Sequence, residues 1–373
     1  MKKYFFAIAA IVGGFMATSC ENDAINVEEA QEITVRVQPE GIIDGLVEHN
    51  VGELNSLGSY SLRTHLLIYN DRGVLCSEDV KYSNSYSSTM VFNPKLSKGT
   101  FTAITIVDVV TLKNNVPTLT FWSLSDSTSL NTATIKDNGY IGNSRKMLAA
   151  DKTVMNVTSS ASPYTIRPER QGALIRISYW DQSGLVNPTG SLDVKYFKLL
   201  TKKANDEMSI SAAGFEYSFK SDQWFRISRI LSTEKNAQTT SGTPYKFGYA
   251  ESYGFVFPST NTPIRFAIET NETKSQTFEW KVSNNGSGET CDFKKGEYYV
   301  FEAEYYGNED GDGNLYAFTG LYTYDEYQKL LSRQFRQAKV MGQRVSTDNA
   351  RRTAGQTLGS WMENQSLSFA DIE

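Results

Sequence analysis

Residues 66–75 read Leu-Leu-Ile-Tyr-Asn-Asp-Arg-Gly-Val-Leu, in which two apolar runs flank a polar turn. The first run is Leu66–Tyr69, and the second begins at Val74. The Asn, Asp and Gly between them are residues that favour tight turns. Two strand-like runs separated by such residues are typical of a β-hairpin. This stretch therefore predicts two antiparallel strands, and the same pattern returns along most of the chain.

Strand patterns also dominate the residues around this hairpin. Apolar and polar residues alternate from Ile33 to Gln38, with the period of two that buries one face of a strand. Lys98 and Gly99 lead into Phe101–Val110, which is rich in the β-branched residues that strands favour. Few segments in this half show a helical period. The first half of the chain is therefore predicted to be all-β.

The second half repeats this organisation after a polar stretch, Asn143–Ser162. Seven further segments have strand patterns: Ile175–Tyr179, Val194–Leu200, Phe215–Phe219, Tyr253–Phe257, Ile264–Ile268, Phe278–Val282 and Tyr298–Tyr305. The residues Lys-Gly-Glu-Tyr at 295–298 echo Lys-Gly-Thr-Phe at 98–101, since each places a glycine turn before a strand. Two similar β-sandwiches in tandem would produce such a repeat, with a boundary near Ser162.

Cys20 follows a segment of the kind that directs proteins out of the cytoplasm. Two lysines precede an apolar run, Tyr4–Met16, and small residues follow at 17–19. As a helix this run spans about 20 Å, which is short of the roughly 30 Å hydrocarbon core of a bilayer. The order resembles the lipobox of bacterial lipoproteins, which is cut before a cysteine that carries a diacylglycerol. It predicts a lipid anchor at Cys20. Because Ala17 stands where Leu is usual, ordinary secretion with cleavage near Ser19 is the alternative.

The residues after Cys20 form an acidic segment. Up to residue 32 it has no Lys or Arg and five acidic residues: Glu21, Asp23, Glu28, Glu29 and Glu32. Such a stretch predicts a solvated tether of residues 20–32 between the anchor and the first domain. The acidic start also resembles the surface-export signal of some outer-membrane lipoproteins. A plain spacer is the alternative interpretation.

Composition limits the classes of protein to which this chain can belong. Removal of residues 1–19 leaves 373 − 19 = 354 residues, enough for two domains with cores of their own. The aromatic share of 12% with only 9 prolines is typical of a folded β protein rather than a disordered chain. A formal net charge of −5 argues against nucleic acid as a partner.

Cysteine and histidine are scarce. Besides Cys20 the chain has only Cys76 and Cys291, so it is not a disulfide scaffold. These two cysteines lie in different predicted domains, which favours two buried thiols, and a bridge between them is the alternative. Only His49 and His65 are present, which argues against most zinc sites and against His-dependent nucleophiles.

Motifs for catalysis or for cofactors are not found in the sequence, which shows no phosphate-binding glycine loop, nucleophile elbow or cysteine-pair metal site. Glu302 and Glu304 alternate with aromatic residues, as on the solvated side of a strand. Asp310, Asp312 and Asn314 have the spacing of the first EF-hand ligands, but leucines replace the required Gly and the closing Glu. We therefore predict a non-enzymatic protein without cofactor or metal, and a linker at these three residues.

Aromatic rings could still build a platform for sugars, because flat rings contact the apolar faces of pyranoses. The chain has five tryptophans: Trp122, Trp180, Trp224, Trp280 and Trp361. Trp180 and Trp280 lie within strand patterns, where burial in a core is the usual outcome. Trp224 follows Asp222 and Gln223 in a polar turn, which makes it the best candidate for an exposed ring.

The tail, residues 309–373, departs from the strand pattern. Thr323 and Glu326 have the spacing of a capping box, and apolar residues then recur at helical intervals over Tyr327–Met341. The opposite face of this predicted helix is basic: Lys329, Arg333, Arg336 and Lys339. An amphipathic helix laid on the second sandwich with its charges in water is the favoured interpretation. A basic arm that binds a partner subunit or an anionic membrane is the alternative.

Taken together, five features are similar to the fimbrillin superfamily, specifically to its lipidated minor-fimbria anchor and accessory proteins: the lipobox at Cys20, the strand at 33–38, the hairpin at 66–75, the Lys-Gly-Thr-Phe segment at 96–106 and the strand opening at 172–181. The resemblance implies two transthyretin-like β-sandwich domains, attachment to the outer membrane through Cys20, and a role in anchoring a pilus or limiting its length. It also implies assembly by strand exchange, in which one subunit lends a strand to a groove of the next.

The sequence thus predicts an all-β protein of two tandem transthyretin-like β-sandwich domains with a C-terminal helical tail. Residues 1–19 are a signal peptide and 20–32 a tether; 33–162 and 163–308 are the two sandwiches, and 309–373 are linker and tail. We expect a surface-exposed fimbrial anchor, accessory or adhesive subunit in the outer membrane, with fimbrial subunits as partners. A carbohydrate-binding surface lipoprotein of a glycan-uptake system is the alternative.

Overall fold

The structure is a computed structural model of the chain. It describes residues 30–39, 57–139, 145–159, 162–181, 183–186, 192, 194–211, 213–238, 244–270, 277–282, 290–305 and 317–323. The predicted signal peptide, Cys20 and the predicted tail helix lie outside these residues.

Almost every described segment is a β-strand. Within the described residues the first half contributes thirteen strands: β1 (Gln31–Glu32), β2 (Val35–Val37), β3 (Ser61–Tyr69), β4 (Leu75–Ser83), β5 (Met90–Phe92), β6 (Lys95–Leu96), β7 (Gly99–Lys113), β8 (Val116–Thr120), β9 (Trp122–Ser125), β10 (Thr134–Asp137), β11 (Leu148–Val157), β12 (Tyr164–Ile166) and β13 (Glu169–Arg170).

The described part of the second half contributes twelve strands and a one-turn helix: β14 (Ala173–Asp181), α1 (Ser183–Val186), β15 (Val194–Thr201), β16 (Ala204–Ser211), β17 (Gly214–Lys220), β18 (Phe225–Leu231), β19 (Thr233–Gln238), β20 (Pro244–Val256), β21 (Ser259–Thr270), β22 (Thr277–Val282), β23 (Thr290–Phe293), β24 (Tyr298–Tyr305) and β25 (Ala317–Thr323). The prediction of an all-β fold is confirmed.

Strand β7 is the centre of the largest sheet, whose strand order is β13-β11-β7-β3-β4, with β8 also paired to β7. Every residue from Ala103 to Val110 is buried, so this strand is covered on both faces. Such a strand needs a continuous apolar run rather than an alternating one. Asp108 is the acidic exception, and the Arg63 guanidinium donates to its two carboxylate oxygens at 2.8 and 2.7 Å. Pairing offsets the cost of burying that charge.

The hairpin predicted at residues 66–75 is present as β3 and β4. At its turn the Asn70 side-chain oxygen accepts hydrogen bonds from the backbone N–H groups of Arg72 and Val74, each at 3.0 Å. Gly73 has a φ of +74°, a conformation that residues with a Cβ rarely adopt. The turn residues of the sequence therefore act as predicted.

The alternation predicted at residues 33–38 is also confirmed in β2. Val35 and Val37 are fully buried, and Arg36 between them is exposed. Strand β2 lies between β12 and β5 in a three-stranded sheet that covers the large sheet, and Phe92 and Ile166 from those strands complete its buried face. A two-stranded sheet of β1 and β6 lies beside it in the chain.

The second half forms a sandwich of two sheets. One sheet has the order β19-β20-β14-β24-β25, and the other has the order β18-β15-β21-β22, with β23 also paired to β21. Their facing residues share one core in which the Tyr179 ring stacks on Phe197 at 4.8 Å and on Phe266 at 5.5 Å. The Tyr179 hydroxyl forms a hydrogen bond with the Ser228 hydroxyl at 2.9 Å, so its polar end is satisfied.

Sheet membership does not change at Ser162. Strands β12 and β13 follow that residue but pair with β2 and β11 of the first half. The hairpin β16–β17 then leaves the second sandwich and joins β10 and β9, in the order β17-β16-β10-β9. The two halves therefore share a sheet, a pairing that no local pattern in the sequence could reveal.

Two strands lie in segments for which the sequence predicted a tether or a linker and helical tail. Gln31–Glu32, at the end of the predicted tether, forms β1 and pairs with β6. Ala317–Thr323, within the predicted linker and tail, forms β25 and extends the sheet beyond β24. Thr323 therefore ends a strand. The predicted helix over 327–341 lies outside the described residues.

A half-buried histidine makes the first half sensitive to acid. His65 lies on β3, its Nδ1 atom has no hydrogen-bond partner, and burial, together with the nearby charge of Arg63, lowers its pKa to about 3. In the unfolded chain the pKa of a histidine side chain is about 6.5. The contribution of neutral His65 to the free energy of unfolding is therefore fully present above about pH 6.5 and is lost as the pH falls from there towards 3.

We predict that lowering the pH from 7 to 5 costs the wild type about 2 kcal/mol through His65. The substitution His65→Val removes the titrating group and should remove this part of the pH dependence. Urea unfolding of both proteins at pH 7 and pH 5 measures the difference. An equally steep loss in His65→Val would show that another group is responsible.

Candidate functional site

The two halves meet around one tryptophan. Trp122, the first residue of β9, is 1% exposed, and its ring lies 5.6 Å from the Phe255 ring and 5.4 Å from the Phe257 ring. Its indole N–H donates to the Met147 carbonyl at 3.0 Å. Phe255 belongs to β20 of the second half, so the core of the first half is completed by residues of the second. Trp122 is thus a core residue and offers no ring to a sugar.

Asn205 joins the halves by hydrogen bonds. It lies on β16 and is buried, its side-chain amide donates to the Phe255 carbonyl at 3.0 Å, and its side-chain oxygen accepts from the Phe257 N–H at 2.8 Å. Phe255 lies near the end of β20, beyond the part of that strand that pairs with β19, and Phe257 follows the strand. Because a buried backbone group without a partner is costly, Asn205 holds the hairpin β16–β17 against the second half.

The chain passes between the halves through a packed segment. The Gln171 side chain donates to the Ala150 carbonyl at 2.7 Å and accepts from the Tyr217 hydroxyl at 2.8 Å. A Cβ on Gly172 would lie 2.5 Å from the Phe255 ring and from the Val256 carbonyl oxygen. Only glycine allows this approach. The junction is therefore tightly packed.

A cleft of about 240 Å³ opens beside this junction. Fourteen residues from both halves line it: Asp137, Gly139, Lys146, Thr201, Lys203, Ala204, Asn205, Lys220, Phe225, Arg226, Ile227, Gly254, Phe255 and Val256. The volume is below the roughly 300–1,000 Å³ of pockets for drug-sized ligands. It suits one ring or a short chain.

One ion pair lies in the wall of the cleft. The Lys146 ammonium contacts the two Asp137 carboxylate oxygens at 2.7 and 2.6 Å, and both side chains are 5% exposed. The ammonium also lies 5.1 Å from the centre of the Trp122 ring. Burial lowers the pKa of Lys146, and the charge and hydrogen bonds of Asp137 oppose that shift. The pair therefore fixes the polar wall next to the shared aromatic core.

Three further cations lie at the rim. The Lys203 ammonium donates to the Thr260 carbonyl at 2.6 Å, and Lys220 pairs with Asp206 at 3.2 Å on the surface. Arg226 is exposed. With Lys146, four cations face the single carboxylate of the lining, an excess of 4 − 1 = +3. A chain of net charge −5 thus has a locally positive cleft.

No pattern in the sequence indicates this cleft. Its charged residues come from separate segments: Asp137, Lys146, Lys203, Lys220 and Arg226. Each of them stands in an ordinary strand or turn context. The pairing of β16 with β10 and of β18 with β15 brings them together, so no signal in the sequence identifies the group.

Among the tryptophans considered for sugar binding, Trp224 differs from the prediction. Trp224 is half-buried rather than fully exposed, because the turn lies against neighbouring strands. The Arg265 guanidinium lies 4.3 Å and the Lys202 ammonium 5.6 Å from its ring centre, so the ring already has cationic partners. Trp180 and Trp280 lie on β14 and β22, as predicted. Trp361 lies outside the described residues.

The two internal cysteines are thiols, and no disulfide joins them. Cys291 is buried in the second core, whereas Cys76 is only half-buried beside the first, which corrects the prediction of two buried thiols. Glu302 and Glu304 lie on β24, as predicted. The remaining predicted site residues lie outside the described part of the chain: Cys20, His49, Asp310, Asp312 and Asn314.

The described residues lack two features, a cluster of metal ligands and a membrane-spanning helix. They contain no group of three or more His, Cys, Asp and Glu side chains that could hold a metal ion. None of their helices is both long and apolar enough to cross a membrane.

Comparison with known proteins finds similarity in structure only. No family model matches, and no curated protein matches. One similar solved structure is a protein described as an adhesin from Bacteroides thetaiotaomicron, with a TM-score of 0.47 and 8% identity; the match covers 79% of this chain and 98% of that chain. A second is the fimbrial anchor protein Mfa2 from Porphyromonas gingivalis, with a TM-score of 0.38, 10% identity and coverage of 79% and 99%. A third is the C-terminally truncated tip fimbrial protein Mfa3 from Porphyromonas gingivalis, with a TM-score of 0.41, 9% identity and coverage of 78% and 99%. Two of these are fimbrial proteins, the kind that the sequence resembles. All three TM-scores are below 0.5, so the case for function rests on the residues of this chain.

We predict that Asn205→Ala destabilises the protein by about 2–4 kcal/mol, because two buried backbone groups lose their partners. The matched control is Asp206→Ala, which removes only a half-exposed ion pair and should cost less than about 1 kcal/mol. Urea unfolding at pH 7 measures both. Equal losses would contradict the role given to Asn205.

Proposed function

We propose that this chain is a lipid-anchored accessory or adhesive subunit of a fimbria, held at the outer membrane through Cys20. The lipobox that precedes Cys20 supports the anchor. Two or three acyl chains suffice to hold a soluble body at a bilayer, since each buried methylene contributes about 0.8 kcal/mol. The β-sandwich body then needs no membrane-spanning segment of its own.

The observation that carries this proposal is the way the chain enters the fold. Strand β2, the second strand after the tether, is paired on both sides, in parallel with β12 and antiparallel with β5. Further backbone bonds flank it, from the Ile33 N–H to the Pro94 carbonyl and from the Gln38 N–H to the Ile166 carbonyl, each at 2.9 Å. Force applied at a lipidated Cys20 would therefore be distributed over two neighbouring strands.

The length of the tether supports the same arrangement. Gln31, where β1 begins, lies eleven residue steps after Cys20 (31 − 20 = 11). Fully extended they reach at most about 40 Å. An acidic tether of this reach would keep the first sandwich close to the membrane surface without contact with anionic lipid.

Assembly by strand exchange would use the edges of the sheets. In the second sandwich, β18 and β22 end one sheet, and β19 and β25 end the other. An outer strand has unpaired backbone groups along one side, and an added strand from a neighbouring subunit can pair there. We propose that fimbrial subunits are the partners that supply or receive such a strand.

The alternative function is that of a carbohydrate-binding surface lipoprotein. One observation favours it, namely the positive cleft at the junction of the halves. Binding of a saccharide in that cleft, without co-purification with fimbriae, would favour this alternative over the fimbrial role.

We predict that Cys20→Ala moves the protein from the membrane fraction to the soluble fraction, because the acyl acceptor is lost. Cys76→Ala is the matched control, since it removes a thiol that plays no part in the anchor and should leave the protein in the membrane. Immunoblots of fractionated cells measure the distribution. Undiminished outer-membrane retention of Cys20→Ala would refute the anchor.

We also predict that the wild-type chain co-purifies with fimbriae sheared from the cells. In Cys20→Ala cells the same fimbriae should appear in the culture medium, because their attachment to the membrane is lost. Electron microscopy and immunoblots of medium and cells measure both effects. Fimbriae that stay on the cells and lack this chain would contradict the fimbrial role.

A further inference from the structure

We propose that the cleft at the junction of the two halves binds an acidic saccharide, a sugar ring that carries a carboxylate. The inference deepens the alternative function and does not depend on the fimbrial one. It rests on the charge, the hydrogen-bonding capacity and the shape of the lining.

The charge of the lining selects an anion. Four cations and one carboxylate line the cleft, and that carboxylate, Asp137, already contacts Lys146 through both of its oxygens. The cations at the rim are half-buried or exposed, so they can reach a ligand without first being unburied. Lys220 shares its charge with Asp206, which leaves Lys203 and Arg226 as the principal anion-binding groups at the rim.

The hydrogen-bonding groups of the lining select an acceptor. The Thr201 hydroxyl accepts from the Lys203 N–H and donates to the Lys203 carbonyl, and the Asn205 amide donates to the Phe255 carbonyl and accepts from the Phe257 N–H. Most of the remaining side-chain capacity is that of N–H donors: the ammonium and guanidinium groups and the second N–H of Asn205. The acceptor side chain among them is the Asp137 carboxylate, and Lys146 already holds both of its oxygens. A carboxylate only accepts, whereas a neutral sugar offers hydroxyls that also need acceptors. The lining therefore suits a carboxylate better than a neutral sugar.

The floor of the cleft suits the face of a ring. It consists of Phe225, Ile227, Phe255 and Val256, of which Phe225 is half-buried and the others are buried. Apolar floors with a few placed polar groups are typical of small-ligand sites. The C–H face of a pyranose can lie on this floor while its carboxylate points to the rim.

The exposed rim lets a longer chain pass. The Lys220 side chain is 50% exposed and Arg226 is exposed, so the cleft opens to solvent on that side. One acidic ring of a polysaccharide could occupy the cleft while its neighbours remain outside. Arg226 can bind a carboxylate through two parallel N–H groups, a geometry that lysine cannot offer.

The test is calorimetric titration of the full chain in detergent with trigalacturonate. We expect binding that weakens as salt is raised from 50 to 500 mM NaCl, because exposed charges are screened. Arg226→Gln should weaken binding about tenfold, the usual effect of losing one charge-assisted hydrogen bond. The affinity of Arg226→Lys should lie between those of the wild type and Arg226→Gln. The matched control is Arg72→Gln, an exposed arginine in the β3–β4 turn, which should bind like the wild type.

Each other outcome overturns the proposal. Absence of trigalacturonate binding, or equal binding of neutral galactotriose, would show that the cleft does not select an acidic sugar. Equal or tighter binding of tetraglutamate would assign the cleft to acidic peptides instead. Equal weakening by Arg72→Gln and Arg226→Gln would show general surface attraction rather than a site. Thermal melts of the variants that match the wild type exclude misfolding. Fractionation of cells that carry Arg226→Gln tests the lipid anchor separately, because this variant should stay in the membrane whether or not the cleft binds a saccharide.

Discussion

Every buried backbone group of a protein must find a partner, and this requirement shapes the junction of the two halves. The hairpin β16–β17 leaves the second sandwich, so its backbone groups pair with β10 of the first half. Strand β19 pairs with β20 only as far as Tyr249, and beyond that point Asn205 on the hairpin satisfies the Phe255 carbonyl and the Phe257 N–H. The two halves are joined by a shared sheet and by hydrogen bonds rather than by a flexible linker.

The cleft is a consequence of this junction. Trp122 fills the shared core from the first half, and Phe255 and Phe257 fill it from the second. Lys146 is placed against the Trp122 ring and paired with Asp137, while Arg226 arrives on β18 from the other side. A movement of one half against the other would disrupt the aromatic core that the two halves share. The cleft should therefore keep its shape without a ligand, and such preorganisation lowers the cost of binding.

Much of the fold could be predicted because its signals are local. The turn at Asn70–Gly73 uses side-chain and backbone preferences of four consecutive residues, and the burial of Val35 and Val37 follows from a period of two. The strand Ala103–Val110 was also recognisable, since it is rich in the β-branched residues that strands favour. In contrast, the half-burial of Trp224 depends on Arg265, which is distant in the sequence and gives no local signal.

The amino-acid sequence by itself determined the strand content, the hairpin turns and the segment that precedes Cys20, because each depends on neighbouring residues or on a short period. Tertiary structure alone decided which strands share a sheet, where the chain passes between the halves and which charges meet in the cleft. Pairing joins residues such as Ile135 and Met208, whose separation along the chain is unconstrained by any local preference. The positive cleft exists only after that pairing has formed, and for that reason it is absent from every motif in the sequence.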